Sequence, residues 1–105
     1  MTPLERRLAA LAAAGETISY GQLARELGLR MGELTAALEA LMDVDAVQGK
    51  PFRASLVDSK LSPGIPAEGF FEKAAELGRP LIRSIEQIDA ERRAVRAACG
   101  TITPD

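Results

Sequence analysis

Tyr20-Gly21-Gln22-Leu23-Ala24-Arg25-Glu26-Leu27-Gly28-Leu29-Arg30-Met31-Gly32-Glu33-Leu34-Thr35-Ala36-Ala37-Leu38 is the stretch on which the fold turns. Ala24 is the small residue at which two helices can cross, because closely approaching backbones leave room for a methyl and not for a long side chain. Gly28 follows four positions later, where the chain must reverse through a positive φ that only glycine adopts without steric cost. Leu34, six positions further on, faces inward from the second helix. Leu23, Leu27 and Leu29 supply apolar contacts before and through the turn, and Ala37 and Leu38 supply them after it. The spacing is that of a helix-turn-helix, although an alanine- and leucine-rich αα-hairpin can produce the same pattern.

Towards the N-terminus, Pro3 to Ala13 reads as a first helix. Thr2 stands at its N-cap, Pro3 suits the first turn, Glu5 lies near the positive helix end and Gly15 stops it. Leu4, Leu8 and Leu11 form its apolar stripe. A short extended link, Glu16 to Ser19, turns Ile18 inward, and Ser19 caps the second helix, Tyr20 to Leu27. A third helix is expected from about Met31 to Met42, with Leu34, Leu38 and Leu41 inside.

After Asp45 the texture changes to Gly, Pro and short β-branched runs. Ala46-Val47-Gln48 and Arg53 to Val57 read as two strands joined through Gly49-Lys50-Pro51. Three helices followed by a small β hairpin are the layout of a winged helix. The loop Ser62-Pro63-Gly64-Ile65-Pro66 then leads to a fourth helix, Ala67 to Leu77, with Phe70, Phe71, Ala74 and Leu77 on one side and Gly78 at its end. A fifth helix is expected from Leu81 to Ala98, stopping at Gly100. The expected fold is therefore mainly α with a small β hairpin, an α+β class. One domain comprises a winged helix-turn-helix core over residues 1–60 and a helical extension over residues 61–105.

Composition narrows the function classes. At 105 residues the chain can bury a single core unaided, and its hydrophobic share of 47% argues against wholesale disorder. The longest nearly uncharged run, Leu8 to Gly15, is too short to span a bilayer, and Met1 to Ala14 does not read as a signal peptide, so a cytoplasmic protein is the expectation. A single cysteine, Cys99, forms no internal disulfide and fits a reducing compartment. The absence of histidine removes the commonest general base and metal ligand, and no metal or other cofactor is expected. With no nucleophile–base pair either, the chain does not read as an enzyme.

Other chemistry-bearing residues have plainer readings. Asp43 and Asp45 fit a solvated helix-to-strand junction, since too few oxygen ligands follow for calcium. Gly49, Gly64 and Gly69 lack the Lys-Ser/Thr and helix start of a phosphate loop. Phe70 and Phe71 point about 100° apart on a helix, which suits core anchoring better than base stacking. Cys99, at a helix C-terminus, sits where the dipole opposes thiolate formation.

Two resemblances accompany this reading. Ile18-Ser19-Tyr20-Gly21-Gln22-Leu23-Ala24 resembles the segment that opens the helix-turn-helix of alkylguanine-DNA alkyltransferases. The reactive Pro-Cys-His-Arg motif of that family has no counterpart, since Cys99 lies in Ala98-Cys99-Gly100, so the resemblance implies a fold element and not alkyl transfer. Gly49-x-Pro51-x-x-Ala54-x-Leu56-Val57, Pro63-Gly64-Ile65-Pro66-Ala67-Glu68-Gly69-Phe70-Phe71 and Ala75-x-Leu77-Gly78 are together similar to small bacterial winged-helix-like proteins of uncharacterised function. There a strand leads into Pro-Gly-x-Gly-Phe-Phe and a helix ending in Leu-Gly. Here Ile-Pro-Ala-Glu stretches that motif, and the resemblance implies a shared α+β fold without an activity.

Two function classes remain open, and the motif favours the first. As a DNA-binding, transcription-associated protein, the chain would present Arg30, Met31, Gly32, Thr35, Ala36 and Glu39 to a groove of double-stranded DNA. Arg25, Lys50, Arg53 and Lys60 would add cations from the second helix and the wing. A net charge of −2 weighs against this class. As a docking or homodimerisation module, the chain would use the stripe Leu81, Ile85, Ile88, Val95 and Cys99, a heptad pattern interrupted by Arg92. The same stripe could instead pack on the domain's own helices.

Overall fold

The computed structural model describes residues 1–61, 64–81 and 83–99, without the side chain of Cys99. Helix α1 spans Pro3–Ala14. Thr2 caps it reciprocally: its hydroxyl accepts from the Glu5 N–H, and the Glu5 carboxylate accepts from the Thr2 N–H. A two-residue strand β1, Ile18–Ser19, leads into α2, Tyr20–Leu27, whose N-cap Ser19 accepts from the Gln22 N–H. Gly28, at φ 67°, ends α2, and the Leu29 N–H returns to the Ala24 carbonyl at 2.9 Å. Helix α3 begins at Met31, and Ala24 and Leu34 are both buried where the two helices meet.

Helix α3 then runs on to Val47, five residues beyond its expected end at Met42. No helix breaker intervenes before Gly49, at φ 68°, where the Lys50 N–H closes back on the Asp45 carbonyl at 2.8 Å. Ala46 and Val47 are thus helical, and the expected hairpin is not formed. Arg53–Leu56 is a 3₁₀ turn rather than a strand, and only Val57–Asp58 is extended, as β2. It pairs in parallel with β1, Ile18 opposite Val57 and Ser19 opposite Asp58. The sheet therefore joins distant segments instead of neighbouring ones.

Helix α4, Glu68–Glu76, and helix α5, Ile85–Cys99, complete the fold. Leu81, expected inside the fifth helix, lies before it. The loop residues Ser62 and Pro63, the helix stop at Gly100 and the thiol of Cys99 lie outside the described residues. Both Phe70 and Phe71 are buried, with Phe70 edge-on to Phe52 at 5.9 Å between ring centroids.

The buried centre is the irregular segment Phe52–Val57, with α1, α3 and α5 packed around its 3₁₀ turn. A buried backbone outside regular structure must still satisfy its polar groups. Here side chains do so. Glu91 accepts from the Phe52 N–H at 2.7 Å, Asp45 accepts from the Arg53 N–H at 3.0 Å, and Arg92 Nε donates to the Ser55 carbonyl at 2.7 Å. Arg92 also donates to the Gly64 carbonyl at 2.9 Å and pairs with Asp58. This is why an arginine interrupts the apolar stripe of α5: it holds the central segment, β2 and the following loop to one helix.

Asp45 is accordingly no solvated junction residue. It is 1% exposed and forms a forked pair with Arg53, whose Nε and Nη2 both reach Asp45 Oδ1, at 3.0 and 2.9 Å. Arg53 Nη1 also reaches Glu5 at 3.1 Å. Burial opposes the Arg53 charge, yet Asp45 and then Glu5 outweigh it and hold the guanidinium above the ordinary arginine value. Asp43, two residues earlier and exposed, pairs with Lys73 on α4 at 3.0 Å.

Candidate docking groove

The sequence-derived contact residues divide into two groups. Arg25, Arg30, Thr35, Lys50 and Lys60 are all exposed, and among the described residues none of the four cations has an acidic partner. Arg53 differs, being consumed by the internal pairing with Asp45 and Glu5. Lys50 lines a cavity of about 290 Å³ beside that same cluster. The cations expected on a wing therefore do not share one surface, because the wing that would have aligned them is not formed.

Thr35 and Lys60 do come together. They line an open groove of about 360 Å³ with Tyr20 and Gly21 from the start of α2, Met31 from the start of α3, and Ala67 at the N-cap of α4. The Arg25 guanidinium stands at its rim, 3.6 Å from where a Cβ on Gly21 would lie. Arg30 occupies the N-cap of α3, its N–H donating to Glu33 at 2.8 Å. Met31 is 50% exposed although it is a large apolar side chain.

The groove continues inward. Tyr20, Thr35 and Ala67 also border a smaller recess of about 60 Å³ that ends on Leu38, Met42 and Phe70. Tyr20 braces the junction: its Oη accepts from the Ala67 N–H at 3.0 Å, tying α2 to the start of α4. Burial pushes the Tyr20 phenol above its ordinary value. Glu39 and Gly69 also border the recess. Thr35 is marked in the sequence as a contact residue on the outer face of the third helix, whereas Tyr20 is marked only as the start of the second. Their joint role depends on Phe70 and Ala67, more than thirty residues away, for which no local signal exists.

No family model, curated protein or solved structure matches the chain. The groove has to be read on its own chemistry. Apart from Glu39 and Lys60, its lining is apolar or hydroxyl-bearing. Elsewhere, no helix among the described residues is long and apolar enough to cross a membrane. No group of three or more potential metal ligands comes together among them either.

The stripe expected to pair protomers is largely internal. Ile88 and Val95 are fully buried, and Leu81 packs against the same core. Among the described side chains of the stripe, Ile85, 56% exposed, is the one that faces outward. The alternative reading of that stripe, packing on the domain's own helices, is the one the burial supports. Among the described side chains, a dimer seam along it would have to be built on Ile85.

Proposed function

We propose that this chain is a non-catalytic docking module that receives a segment of another protein in the groove between α2, α3 and the start of α4. The observation that carries the reading is the apolar recess behind Thr35, reached from an open mouth on the side of α3 expected to meet a ligand. A concave site lined mainly by apolar groups, with a few polar ones at its edge, is the form that binding sites take. The DNA reading has less support. Around α3 it retains Arg25, Arg30 and Lys60, but Arg53 is spent internally and Lys50 lies on another cavity. Three cations give weak counterion release for a chain of net charge −2.

The test uses a variant designed to obstruct the recess from its border. Gly69 borders the recess and a Cβ on it would meet nothing within 4 Å, so Gly69→Leu adds an apolar side chain beside the recess without a backbone clash. Immobilised wild-type chain is panned against a random 12-residue peptide library, in parallel with Gly69→Leu shown to be folded by circular dichroism. Peptides recovered on wild type but not on the variant support docking. Recovery of none, together with duplex DNA binding whose affinity falls steeply with salt, overturns it in favour of nucleic acid.

A further inference from the structure

The dimensions of the groove limit which side chains it can accept, and the inference drawn from them rests on the docking reading above. The recess of about 60 Å³ is small and mainly apolar, which suits a single aliphatic side chain such as leucine or methionine. Leu38, Met42 and Phe70 offer it dispersion contacts and no hydrogen-bonding group. A lysine or glutamine inserted there would lose its hydration without replacement.

The mouth imposes a different requirement. Lys60 lines it and Arg25 stands over Gly21 at its edge, and neither has an acidic partner among the described residues. Among the described residues Glu39 is the acidic group that borders the recess. The two cations thus lie at the mouth, and the carboxylate lies at the border of the recess. From this arrangement we infer that the occupant is an acidic peptide segment with one unbranched or γ-branched aliphatic anchor. Leucine or methionine enters the recess while aspartate or glutamate on either side meets Arg25 and Lys60. An exposed charge pair contributes little affinity, so the acidic flanks act mainly on encounter rate and partner choice.

The peptides recovered by panning on wild type provide the test. The expected consensus is a leucine or methionine flanked within three residues by aspartate or glutamate. Replacing the anchor with serine should weaken binding at least about tenfold, as should Gly69→Leu in the protein. In the double variant Arg25→Glu/Lys60→Glu, both exposed positions, acidic peptides should bind at least about fivefold more weakly. Versions with lysine flanks should then bind more tightly than to wild type, a reversal that loss of structure cannot produce. Groove-dependent peptides without acidic bias, or ones indifferent to the charge reversal, overturn the inference while leaving the docking site standing. Absence of any groove-dependent peptide overturns both.

Discussion

Removing the Asp45 carboxylate is expected to be the most damaging single change outside the apolar core. Asp45 is 1% exposed and the Arg53 side chain 19%. Asp45→Ala would leave the guanidinium with Glu5 alone and orphan the Arg53 backbone N–H inside the central segment. An unsatisfied buried donor costs about 1–3 kcal/mol, and breaking a buried ion pair from one side costs about 3–5 kcal/mol in all. For a domain of this size, each kcal/mol moves the melting temperature by roughly 4–8 °C, so a fall of about 15 °C or more is expected. Urea titration followed by circular dichroism measures the loss as a shift in midpoint at constant slope. Asp45→Leu combined with Arg53→Met removes both charges and should recover more than half of the lost stability. Full recovery is not expected, because the backbone donor remains unpaired. A cost of Asp45→Ala below about 1 kcal/mol, or a double variant no better than Asp45→Ala, would show that the pair is solvated and the reasoning wrong.

Other perturbations follow from the same geometry. Gly28→Val should cost about 1–3 kcal/mol purely through its φ of 67°, since a Cβ there meets nothing within 4 Å; an unchanged midpoint would deny the strained turn. Ser55→Ala should be neutral or stabilising by up to about 1 kcal/mol, because Ser55 Oγ is buried without a hydrogen-bond partner, and a clear loss in the same titration would reveal one. Ile88→Glu should unfold the chain whereas Ile85→Glu should leave its melting curve and sedimentation unchanged; monomerisation by Ile85→Glu would restore the dimer seam. Stability should fall on both sides of neutrality. Glu5, held low by the Thr2 backbone and then Arg53, and Glu26, held low by Arg7 and Gln22, contribute above the usual carboxylate range and lose that contribution as pH falls through their lowered values. Tyr20, raised by burial, and Lys73, raised by Asp43, contribute below their ordinary values and lose that contribution as pH rises through the raised ones. Melting temperatures across pH check this, and a Glu5→Gln variant with an undiminished acid arm would contradict it.

The first half of the fold is legible because its signals are local. Thr2 and Ser19 cap, Gly15 and Gly28 stop, and each acts within four residues of its own position. The extension of α3 to Val47 is a different case. Asp43-Val44-Asp45-Ala46-Val47 is poor in strong helix formers, and its inner position is an aspartate. Only the guanidinium eight residues onward makes that carboxylate acceptable inside. Once α3 takes Ala46 and Val47, no first strand remains for a hairpin. The run Arg53 to Val57 has the short apolar character of a buried strand, which periodicity cannot separate from a buried turn. The side chains of Asp45 and Arg92 meet the Arg53 N–H and the Ser55 carbonyl, Glu91 holds the Phe52 N–H just before the run, and Val57 at its end pairs with the distant β1.

The same cause explains what was visible of the groove. Arg25, Arg30 and Thr35 follow from helical spacing about Ala24 and Leu34, because a helix's outward face is fixed once its inward face is known. Lys60 reaches that face without a hairpin: Asp58, two residues earlier, is fixed by Arg92 and Thr17, and the Ser59 N–H closes on the Ile65 carbonyl at 2.9 Å. Arg53, equally cationic, went inward because a buried carboxylate awaited it. Charge by itself therefore does not separate a contact residue from a structural one. What separates them is whether the fold leaves an acidic group within reach, and Asp45 supplies that group at one position while no described residue supplies it at Arg25 or Lys60.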